Sequence, residues 1–271
     1  MAVGYPVSSL GSWTAEARRL LDHIEETQME VVEQAARWCA EAIAGGGLVH
    51  LFGSGHSRIP VEEMFPRYGS FPGFHPMVEL SMTFHTEVVG SNGQPQAMFI
   101  ERVSGLAEVI LSGFQFGEQD LMMIFSASGR AAVPVEMALG AARRGMRVVA
   151  VTSVAESSSR PASHETGRRL FEIADLVIDI GTPPGDALVT LDSLDTPVGP
   201  GSTLANVAVV NEIKVRTAEL LVAVGHPPSV LTAASVVGEE RSAALFTKAY
   251  AEHAKRLART LHRPEGDVDT G

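Results

Sequence analysis

Four short, almost unbroken apolar runs set the strongest limit on how this chain folds. They read LVHLF at 48–52, LMMIF at 121–125, RVVAV at 147–151 and LVIDI at 176–180. A strand with one wet face alternates apolar and polar residues. These runs do not, so each strand must be covered on both faces. A weaker run, MVEL at 77–80, supplies a fifth strand. Between the second and third runs lies an alanine-rich stretch, 131–144, closed by Gly145, which reads as a helix. Apolar strands alternating with helices predict an α/β protein, a three-layer αβα sandwich on a five-stranded parallel sheet.

Helical periodicity is also strong at both ends. Ala17, Leu20, Leu21, Ile24, Val31, Val32, Ala35, Ala36, Cys39 and Ile43 recur at three- and four-residue spacing. This predicts one long N-terminal helix over 12–44, stopped by Gly45-Gly46-Gly47. A helix that long overhangs a domain of this size, so it is expected to pack on a partner subunit as well. A late helix is expected over 202–224, capped by Ser202 or Thr203, and a last one over 239–261. Two stretches resist regular structure: the polar 155–166 and the Pro/Gly/Asp-dense 182–201. With no internal repeat, the reading is one domain over 12–261, with a disordered tail at 262–271.

The composition narrows the function classes. Net charge is −11 and no Lys/Arg cluster stands out, so no nucleic-acid partner is expected. The first ten residues carry no signal-peptide pattern, and no apolar run is long enough to span a membrane. A soluble cytoplasmic protein is the expectation. The single cysteine, Cys39, sits in the apolar helical pattern and reads as a buried thiol.

Two serine/glycine loops carry the chemistry. Gly53-Ser54-Gly55-His56-Ser57 and Ser126-Ala127-Ser128-Gly129 each lie between a strand and a helix. There the first helical N–H groups and the helix dipole favour an anion. Glycine lets the backbone approach it, and serine hydroxyls donate to it. Arg130 follows the second loop and offers charge. The first loop is not a dinucleotide fingerprint, because Arg58 stands where the third glycine belongs, and neither loop has a P-loop ending.

This pair of loops, GSGHS then SASG, resembles the SIS (sugar isomerase) domain family. PVEMALGAARRGMRVVAVTS at 134–153 and GPGSTLANVAVVNEIKVRTAELL at 199–221 resemble later parts of that domain. ADLVID at 174–179 and GDAL at 185–188 are similar to a stand-alone subgroup of phosphosugar-binding proteins. The resemblance spans about residues 20–260. It implies a flavodoxin-like sheet, a dimer or tetramer, and a sugar phosphate as ligand. It places the phosphate on Ser126, Ser128 and the Gly129 amide, completed by Ser54 and Ser57, with Ser202 and Thr203 as weaker contacts.

Activity is a separate question, because a fold hosts many reactions. Aldose–ketose isomerisation needs a base that moves a proton between adjacent carbons. Glu63 and Glu62, in the helix after the first loop, lie where related isomerases place such a group. Burial against an apolar pocket is expected to raise such a carboxyl's pKa. His85 is a further acid–base candidate, and His56 is expected near the ligand. His164 and Asp186 lie in the two irregular stretches, as a lid residue and a hydroxyl ligand or turn residue. No cofactor and no metal is expected, although some phosphoheptose isomerases of similar fold use zinc. The alternatives to an isomerase are a phosphosugar etherase or lyase, and a non-catalytic sugar-phosphate sensor.

Overall fold

A computed structural model describes residues 8–83, 93–192 and 194–261 of the chain. The strands Val49–Gly53 (β1), Phe74–Met77 (β2), Leu121–Phe125 (β3), Arg147–Thr152 (β4) and Leu176–Asp179 (β5) form one parallel sheet. Its order is β2-β1-β3-β4-β5, the flavodoxin-like arrangement. Both faces are buried, as the apolar runs require. On β3, Leu121, Met123 and Phe125 join one core with Leu51 and Val149. Met122 and Ile124 join the other, with Phe52 and Val148.

The fifth strand lies slightly earlier than the apolar run at 77–80 suggests. It pairs Phe74 to Met77 with Val49 to Phe52. Pro76 obscures it in the sequence, but β2 is an edge strand, where a missing N–H is tolerated.

The N-terminal helix is a correction. It is two helices, Ser12–Thr27 (α1) and Met29–Ala44 (α2), rather than one. The backbone leaves helical geometry at Gln28, with φ −113°. The Gln28 Oε1 then accepts the backbone N–H of Asp179 on the edge strand β5, at 3.0 Å. Ala17, Leu20 and Ile24 of α1 and seven residues of α2, Val32 to Ile43, are buried within the chain. The C-terminus of α2 is closed by Arg256, whose guanidinium donates to the carbonyls of Ile43 and Gly47 at 3.0 and 2.8 Å.

After β1 come the helices Ile59–Met64 (α3), Gly93–Ile100 (α4), Leu106–Ser112 (α5), Ala132–Arg143 (α6) and Val154–Ser158 (α7). The late helices are Ser202–Ala223 (α8), Ala234–Val237 (α9) and Glu239–Leu261 (α10). Buried residues of α1, α2, α3, α8 and α10 cover one face of the sheet, and those of α5 and α6 the other. No helix among the described residues is long and apolar enough to cross a membrane. The tail at 262–271 lies outside the described residues.

The stretch 182–201 is not irregular throughout. Ala187–Val189 (β6) and Val198–Pro200 (β7) pair as a short antiparallel ribbon. Nor does Ser202 or Thr203 cap α8 with its hydroxyl. Asp186, in the left-handed region at φ +67°, does so instead. Its carboxylate accepts Ser202 N at 2.7 Å and Ser202 Oγ at 2.6 Å. A carboxylate satisfies an orphan amide as a serine hydroxyl can, and its charge also complements the helix dipole. We expect Asp186→Ala to cost about 1–2 kcal/mol in thermal or denaturant unfolding, and Asp186→Asn clearly less. Equal losses for both variants would remove the charge from this account.

At the amino end of the sheet, His50, His75 and Asp120 form a buried chain. His50 Nδ1 lies 2.9 Å from His75 Nδ1, and His50 Nε2 lies 3.0 Å from Asp120 Oδ2. Burial, then the neighbouring His50 and His253, pushes the His75 pKa down to about 3. The folded protein therefore refuses a proton that the unfolded chain accepts near pH 6.5. Stability from His75 is full above that pH and is lost as pH falls toward 3. We expect the slope of unfolding free energy against pH between 6 and 4 to be shallower in His75→Gln. The full effect is up to about 1.4 kcal/mol per pH unit. Identical slopes would show that His75 carries no such linkage.

Candidate functional site

β1 and β3 are neighbours, with Gly53 opposite Phe125. The two serine loops therefore leave adjacent strand ends at the carboxyl edge of the sheet, where ligands of such folds bind. In the first loop a side chain at Gly53 has no room, since a Cβ there falls 2.1 Å from the carbonyl oxygen of Ser57. Gly55 to Arg58 make one 3-10 turn, and Pro60 stands in the first turn of α3.

The second loop is tighter. The Ser126 Oγ accepts the Gly129 N–H at 3.1 Å. Gly129 sits at φ +55°, and a Cβ there meets Thr152 Oγ1 at 3.0 Å and Ser157 Oγ at 3.2 Å. Arg130 does not reach into solvent. It pairs with Glu156 at 3.0 Å, and the other oxygen of Glu156 accepts the Gly185 N–H at 2.7 Å. One carboxylate thus joins the serine loop to the turn that carries Asp186.

Ser128 and Arg130 line a cavity of about 420 Å³, together with Glu101, Arg102, Arg160 and His164. Glu101 is the residue that no motif in the sequence marks. Its carbonyl accepts the Val133 N–H at 2.9 Å, which holds it beside the first turn of α6. Its side chain accepts the Ser54 hydroxyl at 2.9 Å, so it bridges the first loop to the cavity of the second. Burial raises the Glu101 pKa, against smaller opposing effects of the Ser54 hydrogen bond and the Arg102 charge. A carboxyl so placed exchanges protons nearer neutral pH than an exposed glutamate does.

Glu62 and Glu63 are not gathered into this cavity. They border another, of about 560 Å³, with Arg67, Tyr68, Phe246 and Tyr250. Glu62 is exposed and lies 3.6 Å from Arg58. Glu63 corrects the expected direction of its pKa. Burial pushes its carboxyl up, but the hydrogen bond from Asn211 and the paired guanidinium of Arg67 outweigh this, and the net shift is downward. The pocket does have apolar walls, Ile59, Pro66, Leu231 and Phe246 among them, but the partners of Glu63 outweigh them.

His164 is also corrected. It is buried rather than part of a mobile loop, with Nδ1 at 2.8 Å from Thr166 Oγ1 and Nε2 at 3.4 Å from Glu136. The stretch it belongs to opens with α7, whose N-cap Ser153 accepts the Glu156 N–H at 3.0 Å. His56 is exposed in the first loop, and Ser57 is partly exposed there. Ser202 is tied to Asp186, and neither it nor Thr203 lines the cavity at Ser128. His85 lies outside the described residues. Among the described residues, no group of three or more His, Cys, Asp or Glu side chains is placed to hold a metal ion.

Known proteins share this chain's sequence and fold. The UPF0309 protein of Oceanobacillus iheyensis is 33% identical over 229 residues, covering 84% of this chain and 91% of the relative. The UPF0309 protein of Geobacillus kaustophilus is 30% identical over 238 residues, covering 87% and 92%. Among solved structures, a phosphoheptose isomerase from Francisella tularensis aligns with a TM-score of 0.51 at 12% identity. That alignment covers 77% of this chain and 95% of the isomerase, a likeness of fold. The model of the SIS domain matches residues 12–153, from the first helix through the second serine loop and β4. A match over more than half the chain, on a sheet of this order, makes this protein a member of the SIS domain family.

Proposed function

We propose that this protein binds a sugar phosphate at the carboxyl edge of its sheet and interconverts its aldose and ketose forms. The phosphate sits on the Ser126–Gly129 loop, taking hydrogen bonds from the Ser126 and Ser128 hydroxyls; the Gly129 amide, which donates to Ser126 Oγ, holds the loop in shape. Gly53, Ser54, Gly55, His56 and Ser57 of the first loop border the sugar. Membership in the SIS domain family supports the ligand class. The acid–base role rests on one observation: Glu101, with its raised pKa, bridges Ser54 to the cavity that Ser128 lines.

In this reading the Glu101 carboxylate removes the proton on C2 of the open-chain aldose phosphate. The C–H electrons form the C1–C2 double bond, and the carbonyl electrons move onto O1, giving an enediolate. Glu101 returns the proton to C1, and the carbonyl re-forms at C2. The hydroxyl proton passes from O2 to O1 through a second acid–base group, for which the first loop offers His56. A hydrogen-bonded carboxylate with a raised pKa suits such a step. Glu63, already bound by Asn211 and Arg67, is less suited to it.

Turnover of a panel of pentose, hexose and heptose phosphates, with binding measured in parallel, tests the proposal. Ser128→Ala is expected to weaken binding by about 1–3 kcal/mol. Glu101→Gln is expected to lower kcat about 10²–10⁴-fold with little loss of affinity, whereas Glu63→Gln retains most of the rate. The active form is the carboxylate, so the acid limb of kcat/KM should lie above the usual glutamate range. The Ser54 hydrogen bond lowers the Glu101 pKa, so Ser54→Ala should move that limb to higher pH. Binding without turnover of any sugar phosphate leaves a sensor and overturns the isomerase. A rate lost in Glu63→Gln but kept in Glu101→Gln moves the base to Glu63.

A further inference from the structure

We infer that the cavity at Ser128 takes a sugar phosphate bearing a second anionic group, a carboxylate or another phosphate, held by Arg102 and Arg160. This rests on the phosphate reading above and deepens it. A single phosphate on the serine loop is served by hydroxyls and loop amides. Beyond the loop, the same cavity is lined by Arg102, Arg130 and Arg160. Arg130 is committed to Glu156 at 3.0 Å. Among the described residues, neither Arg102 nor Arg160 has an ion-pair partner.

In a chain with net charge −11 carboxylates are in excess, yet these two arginines border one cavity without an ion pair. Most of its arginines pair with one of the many carboxylates, as Arg144 does with Glu108 and Arg216 with Glu33. An anion entering the cavity would be attracted by both charges. A guanidinium also matches a carboxylate or phosphate in bidentate geometry.

Both arginines stand on fixed backbone. Arg102 follows Glu101, whose carbonyl is bound by the Val133 N–H at 2.9 Å. The carbonyl of Arg160 accepts from Arg169 at 3.0 Å. Ser163 Oγ, on the same segment, donates to the Arg130 carbonyl at 2.6 Å and ties that wall to the serine loop. Of the carboxylates nearby, Glu101 feels the Arg102 charge but forms no ion pair with it. Glu101 is turned to Ser54, and Glu165 has no ion pair with either arginine. Both guanidiniums are exposed, so the attraction should weaken as salt is added.

Calorimetric titration of the full chain with glucose 6-phosphate, 6-phosphogluconate and glucose 1,6-bisphosphate tests this. At low salt, at least one of the two doubly anionic ligands should bind about tenfold or more tighter than glucose 6-phosphate. Whichever ligand does so names the second group. In Arg102→Gln/Arg160→Gln that preference should fall to about twofold or less, with glucose 6-phosphate affinity changed less than about threefold. Ser128→Ala should instead weaken all three ligands together. Equal affinity for the three ligands, or a preference that survives the double variant, overturns the inference while leaving the phosphate reading intact. No binding of any of them, with Ser128→Ala also without effect, overturns both.

Discussion

Covering both faces of one parallel sheet is the constraint on which the rest of this structure depends. Each strand residue of β3 is buried, alternately on one side and the other. That demand forces helices between successive strands and turns every loop of one kind to the same edge. The two serine loops become neighbours for this reason alone. They are 73 residues apart at Gly53 and Ser126, but β1 and β3 lie side by side. The proposed phosphate site, made of both, would be a consequence of strand order rather than of either motif.

Polar groups then tie the edge together. Glu156 joins Arg130 to Gly185, Asp186 anchors the start of α8, and Glu101 links Ser54 to the start of α6. Each is a carboxylate or carbonyl that satisfies amides at a loop or helix start, where they would otherwise lack partners. In an acidic chain this is also what the proposed anion site requires. Carboxylates engaged by arginines and amides keep the loop hydroxyls and the arginines of the cavity available to a ligand. The opposite edge carries its own polar chain, His50, His75 and Asp120, but these groups are satisfied by one another.

Much of the fold was legible because burial on both faces leaves a direct mark on the sequence. The apolar runs located β1, β3, β4 and β5 within a residue or two, and α10 at its observed bounds. β2 was shifted because an edge strand accepts Pro76 and needs less apolar length. The break at Gln28 was hidden because periodicity runs through it; what stops the helix is a hydrogen bond to β5, a long-range partner. The ribbon of β6 and β7 was hidden for the same reason, since its pairing lies across the loop rather than along it.

The sequence by itself determined the sheet, the family and the two serine loops, because periodicity, glycine and serine act through local backbone chemistry. It left open which residue the proposed acid–base role would fall to. Glu62 and Glu63 are adjacent to a motif, yet the helix turns them to another cavity and Arg67 holds Glu63 ionised. Glu101 is adjacent to nothing recognisable, yet tertiary packing buries it against Ser54 and raises its pKa. Desolvation and charge depend on what the folded chain brings within a few ångströms, and linear distance from a motif does not encode that.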